Sequence, residues 1–256
     1  MKDKNLFDNV SIVLVRPKYS ANIGSSARAM KNMGFTKLIV VNPLDYEKEK
    51  AKKLSTHAAQ DILENAVFTD NLDLVLKDFN FCIGTTARLG RQRNLSMSTP
   101  YQMAQNIKNL ISNNKIAILF GPENKGLENL ELKKCHRLLT IDTEEFSSLN
   151  LSQAVMIVTY EISKALKKQP EDFHIPTLAN RFELDSMYEH LKDILMKIDF
   201  IHPENPDHWL DNFRTFFSRQ DMRAKDVNIL RGVLRQIEWY GNYMYELGKN
   251  PVKDQD

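Results

Sequence analysis

Apolar residues in the first two thirds of the chain form short runs that alternate with stretches of helical spacing. The runs lie at 10–15, 38–41, 79–83, 116–120 and 138–141. Runs this short that are apolar on both faces indicate strands buried in a parallel sheet. Helical spacing is found at about 22–33, 57–65, 70–77, 100–112, 127–133 and 150–168. The alternation predicts an open α/β sheet with helices on both faces.

The pattern changes in the last third of the chain. Residues 169–176 carry two prolines and no apolar period, which predicts a linker. Helical spacing without a strand-like run follows at about 177–198, 207–217 and 222–247. We therefore expect an α/β domain over 1–168 and a helical extension over 177–256.

Composition and charge indicate a globular protein and the kind of partner that it binds. The chain is 42% hydrophobic and 27% charged, as in ordinary globular proteins. Its net charge of +2 divides into +7 for residues 1–169 and −5 for residues 170–256, so the basic body favours a polyanionic partner. No apolar stretch reaches the ~20 residues of a membrane span. The N-terminus lacks an apolar signal region, and Cys82 and Cys135 lie in or beside apolar segments. We expect a cytoplasmic protein with reduced, buried thiols.

Several common α/β motifs are absent. The chain has no GxGxxG after its first strand, no GxxxxGK[ST] and no GxSxG. It also has no HExxH, no paired CxxC and no cluster of histidines. These absences argue against a nicotinamide enzyme, a P-loop protein and a serine hydrolase, and no metal is expected.

The first of three chemically suggestive segments spans 16–34, directly after the first strand. Ser20 or Asn22 is placed to cap the next helix, whose small residues leave backbone N–H groups open to an anion. Arg28 lies one to two turns into this helix. A capped helix that packs closely on the sheet explains the same residues equally well.

The second segment, 118–126, ends a strand in a loop with two glycines. Such a loop at the carboxyl end of a strand is a common ligand site, and glycine permits close approach of the backbone. Glu123 in this loop can accept hydrogen bonds from a helix N-terminus or from Arg28. An ordinary turn with a solvated glutamate is the alternative.

The third segment, 141–152, is a polar run that leads into an amphipathic helix. Ser148 or Asn150 is placed to cap this helix, which is the simple explanation. The functional explanation is a loop whose amides and asparagine side chain hold a small ligand.

In this order, the three segments resemble the signature motifs of the SpoU/TrmH branch of the SPOUT methyltransferases. The matching strings are Asn22-Ile-Gly-x-x-x-Arg28-Ala, Phe120-Gly-x-Glu123-x-x-Gly126-Leu and Ser148-Leu-Asn150-Leu-Ser. The resemblance covers about 10–168 and implies an open parallel sheet with a C-terminal trefoil knot. It also implies a dimer that transfers a methyl group from S-adenosylmethionine to a ribose 2′-hydroxyl of RNA. The helical tail more loosely resembles that of a branch member that modifies nucleotide 32 in the anticodon loop of tRNA.

The resemblance also assigns site residues. Those implied in catalysis are Arg28, Asn22, Glu123 and Ser148. Those implied in binding the methyl donor are Thr85, Thr86, Ala87, Gly121, Ile141, Ser148, Leu149 and Asn150. Arg28 is expected beside the reacting ribose, in the donor site of its own chain or of a partner chain. We favour an electrostatic role for it, because a guanidinium is not deprotonated in proteins.

Basic residues near strand ends and in the tail are candidates for RNA contact. They are Arg16, Arg88, Arg91, Arg93, Arg219 and Arg223. Charge alone favours a solvated helix face for the residues in the tail, and a solvated loop is the alternative for Arg88, Arg91 and Arg93. A methyltransferase of the same branch acting on rRNA or on another tRNA position, and a non-catalytic RNA-binding protein, remain open alternatives.

Overall fold

The computed structural model describes residues 6–87, 97–144, 149–167, 177–201, 205–218 and 221–249. The chain forms two compact units, and the boundary between them lies between Leu178 and Ala179. The predicted linker, 169–176, lies outside the described residues, so it stays a prediction.

The first unit is built on a seven-stranded sheet. Its strands are β1 (Val10–Val15), β2 (Lys37–Val41), β3 (Val67–Thr69), β4 (Phe81–Thr85), β5 (Met97–Ser98), β6 (Ile116–Phe120) and β7 (Arg137–Leu139). The order is β3-β2-β1-β6-β4-β7-β5, and every pair is parallel. The predicted open parallel sheet is confirmed, and all carboxyl ends lie at one edge. The late strand β7 lies between the earlier β4 and β5, while the predicted knot stays a prediction.

Helices cover both faces of this sheet. They are α1 (Ser20–Met33), α2 (Lys48–Ser55), α3 (Gln60–Glu64), α4 (Leu72–Leu76), α5 (Pro100–Lys108), α6 (Asn129–Leu132) and α7 (Leu151–Lys167). The pattern of apolar residues did not predict α2, β3 or β5. The lysine-rich α2 buries only Ala51 and Ser55, so it shows almost no apolar period.

Alternate residues of β1 enter two different cores. Ile12 and Leu14 pack in the cluster that includes side chains of α1, α5 and α7. Val13 and Val15 pack in the opposite cluster, which includes residues of α4 and α6. Because each face of the strand meets a helix layer, every residue of β1 is buried, which explains its unbroken apolar run.

The start of α1 differs from the expectation that Ser20 or Asn22 caps it. The helix begins at Ser20 after Tyr19, which makes no side-chain cap. The Ser20 hydroxyl instead donates to the carbonyl of Asp45 and accepts from the amide of Glu47, each at 2.7 Å. At Gly24, a Cβ would lie 2.0 Å from the carbonyl oxygen of Ala51 in α2. Glycine therefore serves helix packing at this position.

The described residues of the second unit form three helices: α8 (Arg181–Lys197), α9 (Pro206–Ser218) and α10 (Ala224–Lys249). Its small core is formed by Ala179, Leu184, Met187, Tyr188, Leu210 and Val227. The predicted helical extension is confirmed. Among the described helices of both units, none combines the length and the apolar character that a bilayer crossing requires.

Candidate functional site

A pocket of about 270 Å³ lies at the carboxyl ends of β4, β6 and β7. The predicted donor-site residues that line it are Thr85, Thr86, Ala87, Gly121, Ile141 and Leu149. The other lining residues are Phe120, Pro122, Glu123, Asn124, Lys125, Gly126, Leu127, Leu139, Leu151 and Ala154. Ligands of open α/β sheets bind at this edge. The fold thus brings strand ends that are far apart in the chain around one cavity.

Two glycines shape the loop at the end of β6. A Cβ on Gly121 would lie 2.2 Å from both the carbonyl carbon of Gly126 and the amide nitrogen of Leu127. Gly126 has a φ of 66°, in the left-handed region that favours glycine. The loop therefore folds back on itself tightly, and a side chain at Gly121 would push it open.

Two threonines tie the end of β4 to the neighbouring strands. The Thr85 hydroxyl donates to the carbonyl of Leu119 in β6 at 2.9 Å. The Thr86 amide donates to the carbonyl of Leu139 in β7 at the same distance. These bonds fix the pocket wall that the β4 loop contributes.

A chain of hydrogen bonds joins the three polar segments beside the pocket. The Asn22 side-chain amide donates to Glu123 Oε1 at 2.6 Å, and the backbone N–H of Lys18 donates to Glu123 Oε2 at 2.9 Å. Asn150 donates from Nδ2 to Asn22 Oδ1 at 3.0 Å. Glu123 thus holds the loop before α1 through the Lys18 N–H, and Asn22 in the first turn of α1 joins Glu123 to the start of α7.

Asn150 also caps α7. Its Oδ1 accepts from the Ser152 backbone N–H at 2.9 Å and from the Ser152 hydroxyl at 2.7 Å. Its own N–H donates to the side chain of Gln153 at 3.3 Å, which completes a reciprocal capping arrangement. Asn150 does not line the pocket, and its contacts are the helix cap and Asn22, so its predicted place in the donor site stays a prediction.

Arg28 does not line the pocket of its own chain. It is exposed between the buried Ala27 and Ala29 and is not among the lining residues. Six residues after Asn22, it points about 120° away from that side chain around the helix. No other described residue forms an ion pair with Arg28. An exposed, uncompensated guanidinium at this place is available to a bound polyanion.

Arg16 is held by carboxylates instead. Its guanidinium contacts Glu131 through both terminal nitrogens and Glu128 at 3.3 Å. The hydrogen bond to Glu131 raises the pKa of Arg16 above its ordinary value. The φ of 49° places Arg16 in the left-handed region, and its N–H donates to the carbonyl of Val41. Arg16 therefore fixes the turn after β1, and its predicted RNA contact stays a prediction.

Of the remaining predicted site residues, the structure describes only Arg223. Arg88, Arg91, Arg93, Ser148 and Arg219 lie outside the described residues. Arg223 is exposed just before α10, and its backbone N–H donates to Asp226 at 3.0 Å.

The described ranges contain no group of three or more His, Cys, Asp or Glu side chains placed to hold a metal ion. Both cysteines are buried thiols.

Two contributors to the site were not recognised in the sequence. The Lys18 N–H is a backbone group, and no residue type identifies it. The Glu131 partner of Arg16 lies 115 residues further along the chain. Its only local signal is the pair Glu128–Glu131, which predicts the capping box that starts α6.

Comparison with known families adds independent information. A model of the SpoU rRNA methylase family matches residues 9–160. A model of the C-terminal domain of the tRNA methyltransferase TrmJ matches residues 182–247. Together the two matches span most of both units.

Curated relatives cover nearly the whole chain. A tRNA (cytidine/uridine-2′-O-)-methyltransferase TrmJ from Pectobacterium atrosepticum is 36% identical over 240 residues, which are 91% of this chain and 98% of the relative. The protein of the same name from Sodalis glossinidius is 37% identical over 244 residues, covering 91% and 92%.

Solved structures show the same fold. TrmJ from Z. mobilis superposes with a TM-score of 0.75 at 32% identity and covers 89% of this chain and 98% of its own. A putative methylase family protein from Neisseria gonorrhoeae gives a TM-score of 0.66 at 30% identity and covers 75% and 98%. The resemblance drawn from the three motifs is confirmed by these matches.

Proposed function

The chain belongs to the SpoU methylase family and carries a TrmJ-type C-terminal domain, and from this premise we propose that it methylates ribose 2′-hydroxyl groups of tRNA with S-adenosylmethionine as the donor. Its relatives named for this reaction act on cytidine and uridine. We place the target at nucleotide 32 of the anticodon loop, because the helical extension resembles that of the branch member that modifies this nucleotide. A tRNA substrate also favours the cytoplasm as its location.

The observation that carries the proposal is the bonded chain Asn150–Asn22–Glu123 beside the pocket. It joins the three signature segments through two hydrogen bonds of 2.6 and 3.0 Å. A packing role alone does not require side chains from the first turn of α1, the loop after β6 and the start of α7 to converge on polar contacts. Preorganised polar groups of this kind align reactants at low cost in reorganisation.

The pocket lining suits the proposed donor in kind. Leu139, Ile141 and Leu149 provide an apolar wall that fits an adenine ring. The tight Gly121–Gly126 loop forms another side of the cavity, and Glu123 brings a carboxylate to it. The lining therefore combines an apolar wall with placed polar groups, a combination that small-molecule sites use to hold and orient a ligand.

When bound, S-adenosylmethionine supplies a methyl group that its sulfonium already activates. The protein must then align the ribose oxygen with that carbon, and alignment alone contributes up to ~7–11 kcal/mol. Glu123 orients Asn22, which lies between the loops that border the pocket. A guanidinium stays protonated in proteins, so Arg28 would stabilise charge developing on the 2′-oxygen, while the hydroxyl proton would pass to water and the donor would leave as S-adenosylhomocysteine.

The position of Arg28 also supports a homodimer. The side chain is exposed and lies outside the pocket lining of its own chain. If each chain places its Arg28 at the pocket of the other chain, the two copies form a closed two-fold arrangement. Each site would then combine the donor loops of one chain with the guanidinium of the other.

Two other activities are separable from this proposal. A branch member acting on rRNA or on another tRNA nucleotide would share the donor pocket and differ only in its RNA contacts. A non-catalytic RNA-binding protein would have no use for the Asn22–Glu123 contact beside the pocket. The second is disfavoured by the intact hydrogen-bonded chain of three motif residues.

The test is to incubate the purified full chain and donor with total RNA from cells that lack the protein, and to map 2′-O-methyl groups. We expect new methylation at nucleotide 32 of tRNA and none in rRNA. Asn22→Ala should lower the rate at least tenfold. The matched control Asn65→Ala removes an exposed amide that donates to Asp61 and should leave the rate unchanged.

The possible results separate the alternatives. Methylation at another nucleotide would contradict the assignment to position 32 and retain the reaction. Donor binding without any methyl transfer would favour the RNA-binding alternative and contradict an enzymatic role.

A further inference from the structure

An aromatic side chain is exposed beside the bonded chain of motif residues. Tyr19 directly precedes α1 and is 51% exposed. The residues on both sides of it are fixed, because the Lys18 N–H donates to Glu123 and the buried Ser20 hydroxyl is bonded at both of its contacts. The carbonyl of Tyr19 accepts from the Asn22 N–H at 2.9 Å. Tyr19 is therefore a large ring on a rigid turn, next in the chain to a residue that contacts the candidate site.

The same turn is tied to the start of α2. The Ser20 hydroxyl accepts from the N–H of Glu47, the residue that precedes α2, at 2.7 Å. One turn further along α1, Gly24 lies so close to α2 that a Cβ would be 2.0 Å from the carbonyl oxygen of Ala51. These two contacts hold α2 firmly against α1, so the turn with Tyr19 and the helix α2 form one continuous, rigid part of the first unit.

The helix α2 is strongly basic. It carries four lysines and one glutamate within eight residues. Lys50 pairs with Glu47, which precedes the helix. The other three, Lys48, Lys52 and Lys53, form no ion pair with any residue that the structure describes. Lys48 lies in the first turn, where the helix dipole disfavours a positive charge, so helix stability does not account for it. These three charges are available to a polyanion.

We infer that unpaired nucleotides of the tRNA bind here, with a base stacked on Tyr19 and phosphates beside the lysines of α2. A ring next to positive charge is the combination by which proteins hold single-stranded RNA. Lys18 contributes to it, since its Nζ lies 5.2 Å from the centre of the Tyr19 ring. We define the α1–α2 surface as Lys18, Tyr19, Lys48, Lys52 and Lys53. The inference rests on the proposed function, which names tRNA as the substrate.

The chemistry of the α1–α2 surface favours RNA over a protein partner. Lysine is depleted in protein interfaces, whereas lysines beside phosphates displace counterions and gain affinity. The location also suits a substrate. Tyr19 lies beside the Asn22–Glu123 contact, so the base stacked on it belongs to the target nucleotide or to one next to it. Stacking then holds the ribose of that nucleotide near the donor pocket.

Tyr19 is tested by the binding of unmodified tRNA transcripts to the full chain. Tyr19→Leu keeps an apolar side chain and removes the ring, so tRNA affinity should fall about tenfold or more. Tyr19→Phe keeps the ring and should bind within about twofold of the unsubstituted chain, because stacking does not need the hydroxyl. The matched control Tyr101→Leu removes a tyrosine that is 60% exposed on α5, and it should bind tRNA normally.

The lysines are tested by the salt dependence of the same binding. Each neutralised phosphate contributes ~0.7–0.9 to the slope of log affinity against log salt concentration. The triple variant Lys48→Gln, Lys52→Gln, Lys53→Gln should therefore have a slope that is shallower by about 2. Tyr19→Leu should lower the affinity and leave the slope unchanged, because a stacked base carries no charge.

The control for the lysines is a triple variant with the same loss of charge, Lys37→Gln, Lys77→Gln, Lys115→Gln. These three lysines are exposed and lie at or just before the amino ends of β2, β4 and β6, at the edge of the sheet opposite the donor pocket. The slope should remain that of the unsubstituted chain. Calorimetric titration with S-adenosylmethionine and circular dichroism verify that every variant keeps its fold and its donor pocket.

Three results would overturn the inference. Normal tRNA affinity of Tyr19→Leu, or an equal loss in Tyr19→Phe, would show that no base stacks on the ring. Equal changes of slope in the two triple variants would show that the lysines of α2 have no specific role. A change of molecular mass in Tyr19→Leu, measured by light scattering, with unchanged tRNA affinity would show that a protein covers the ring.

The same measurements separate this inference from the proposed function. If the unsubstituted chain binds the donor and does not bind tRNA, the proposed function fails and the inference fails with it. If the variants bind tRNA as expected and the unsubstituted chain transfers no methyl group, the α1–α2 surface is supported and the enzymatic role is contradicted. Normal methyl transfer together with normal binding by all variants would overturn the inference alone.

Discussion

The two units differ in how completely their helices are covered. In the first unit, the 17-residue α7 buries seven residues against its surroundings. In the second unit, the 26-residue α10 buries only Val227 and Leu234. The first unit therefore completes its own core, whereas the second leaves most of a long helix exposed. We expect chemistry that depends on precise alignment to lie in the first unit, and recognition of a further molecule to involve the second.

The site contacts agree with this division. The bonds that shape the pocket are contributed by loops anchored on the central strands β4, β6 and β7. The Asn22–Glu123 contact adds the start of α1 to the same framework. In the second unit, the ion pairs Lys197–Glu238 and Lys192–Asp207 each join one exposed and one half-buried side chain. Ion pairs at a surface contribute little to stability.

The largest expected effect tests whether activity belongs to the first unit. Arg28→Ala should lower methyl transfer by about 100- to 1000-fold, because removal of one preorganised charge from a transition state costs ~2.7–4 kcal/mol. Initial rates at saturating tRNA measure this loss, and calorimetric donor binding should persist. Arg235→Ala is the matched control, since it removes an exposed arginine from α10. Equal losses in both variants, or normal turnover of Arg28→Ala, would contradict the division.

Much of the first unit is predictable from sequence because its strands are buried on both faces. The runs at β1 and β6 appear in the sequence as unbroken apolar segments, and the structure assigns them the same residues. The short strands β3 and β5 escaped prediction. Val67 and Phe68 of β3 are largely exposed at the sheet edge, and β5 has only two residues. Edge strands bury one side or less, so they leave no continuous apolar run.

The site was predictable in part. Asn22, Glu123 and Asn150 are recognisable as motif residues, and the fold brings them into one hydrogen-bonded chain. The assignment of Ser20 as a possible cap was wrong because its hydroxyl bonds to the chain at Asp45 and Glu47, far along the sequence. The local sequence does not show that the Ser20 hydroxyl will bond to the segment at Asp45 and Glu47, because that segment lies far along the chain.

A smaller effect compares glycines in the two units. Gly121→Ala places a methyl group 2.2 Å from the backbone of Gly126 and Leu127, so the loop must open. We expect donor affinity to fall at least tenfold and stability to fall by about 1–3 kcal/mol. Gly232→Ala in α10 is the control, because its Cβ meets only Arg235 at 4.0 Å. Alanine there should stabilise the helix by about 0.5–1 kcal/mol.

Calorimetric titration with the donor and denaturant unfolding measure both glycine variants. Unchanged donor binding in Gly121→Ala would show that the tight turn does not shape the pocket. A loss of stability in Gly232→Ala would show that α10 is held more tightly than its exposure indicates.

The smallest effect concerns alkaline pH and the second unit alone. Burial raises the pKa of Tyr188 from about 10 to about 12. Between pH 10 and pH 12 the folded state keeps the phenol proton and the unfolded state releases it. The contribution of Tyr188 to the free energy of unfolding is therefore fully present below pH 10 and is lost as the pH rises towards 12. About two pKa units correspond to roughly 2–3 kcal/mol. Both tryptophans, Trp209 and Trp239, lie in the second unit, so their fluorescence during denaturant unfolding reports on it.

Tyr188→Phe removes the titrating group and should flatten the loss of stability over this pH interval. Tyr245→Phe is the matched control, because Tyr245 is 63% exposed on the uncovered end of α10 and its change should leave the pH profile as it is in the unsubstituted chain. Other groups titrate in the same interval, so the comparison between the two variants isolates the buried phenol. Identical profiles for Tyr188→Phe and the unsubstituted chain would mean that the small core around Tyr188 admits water, and that the second unit is even less self-sufficient than its buried residues indicate.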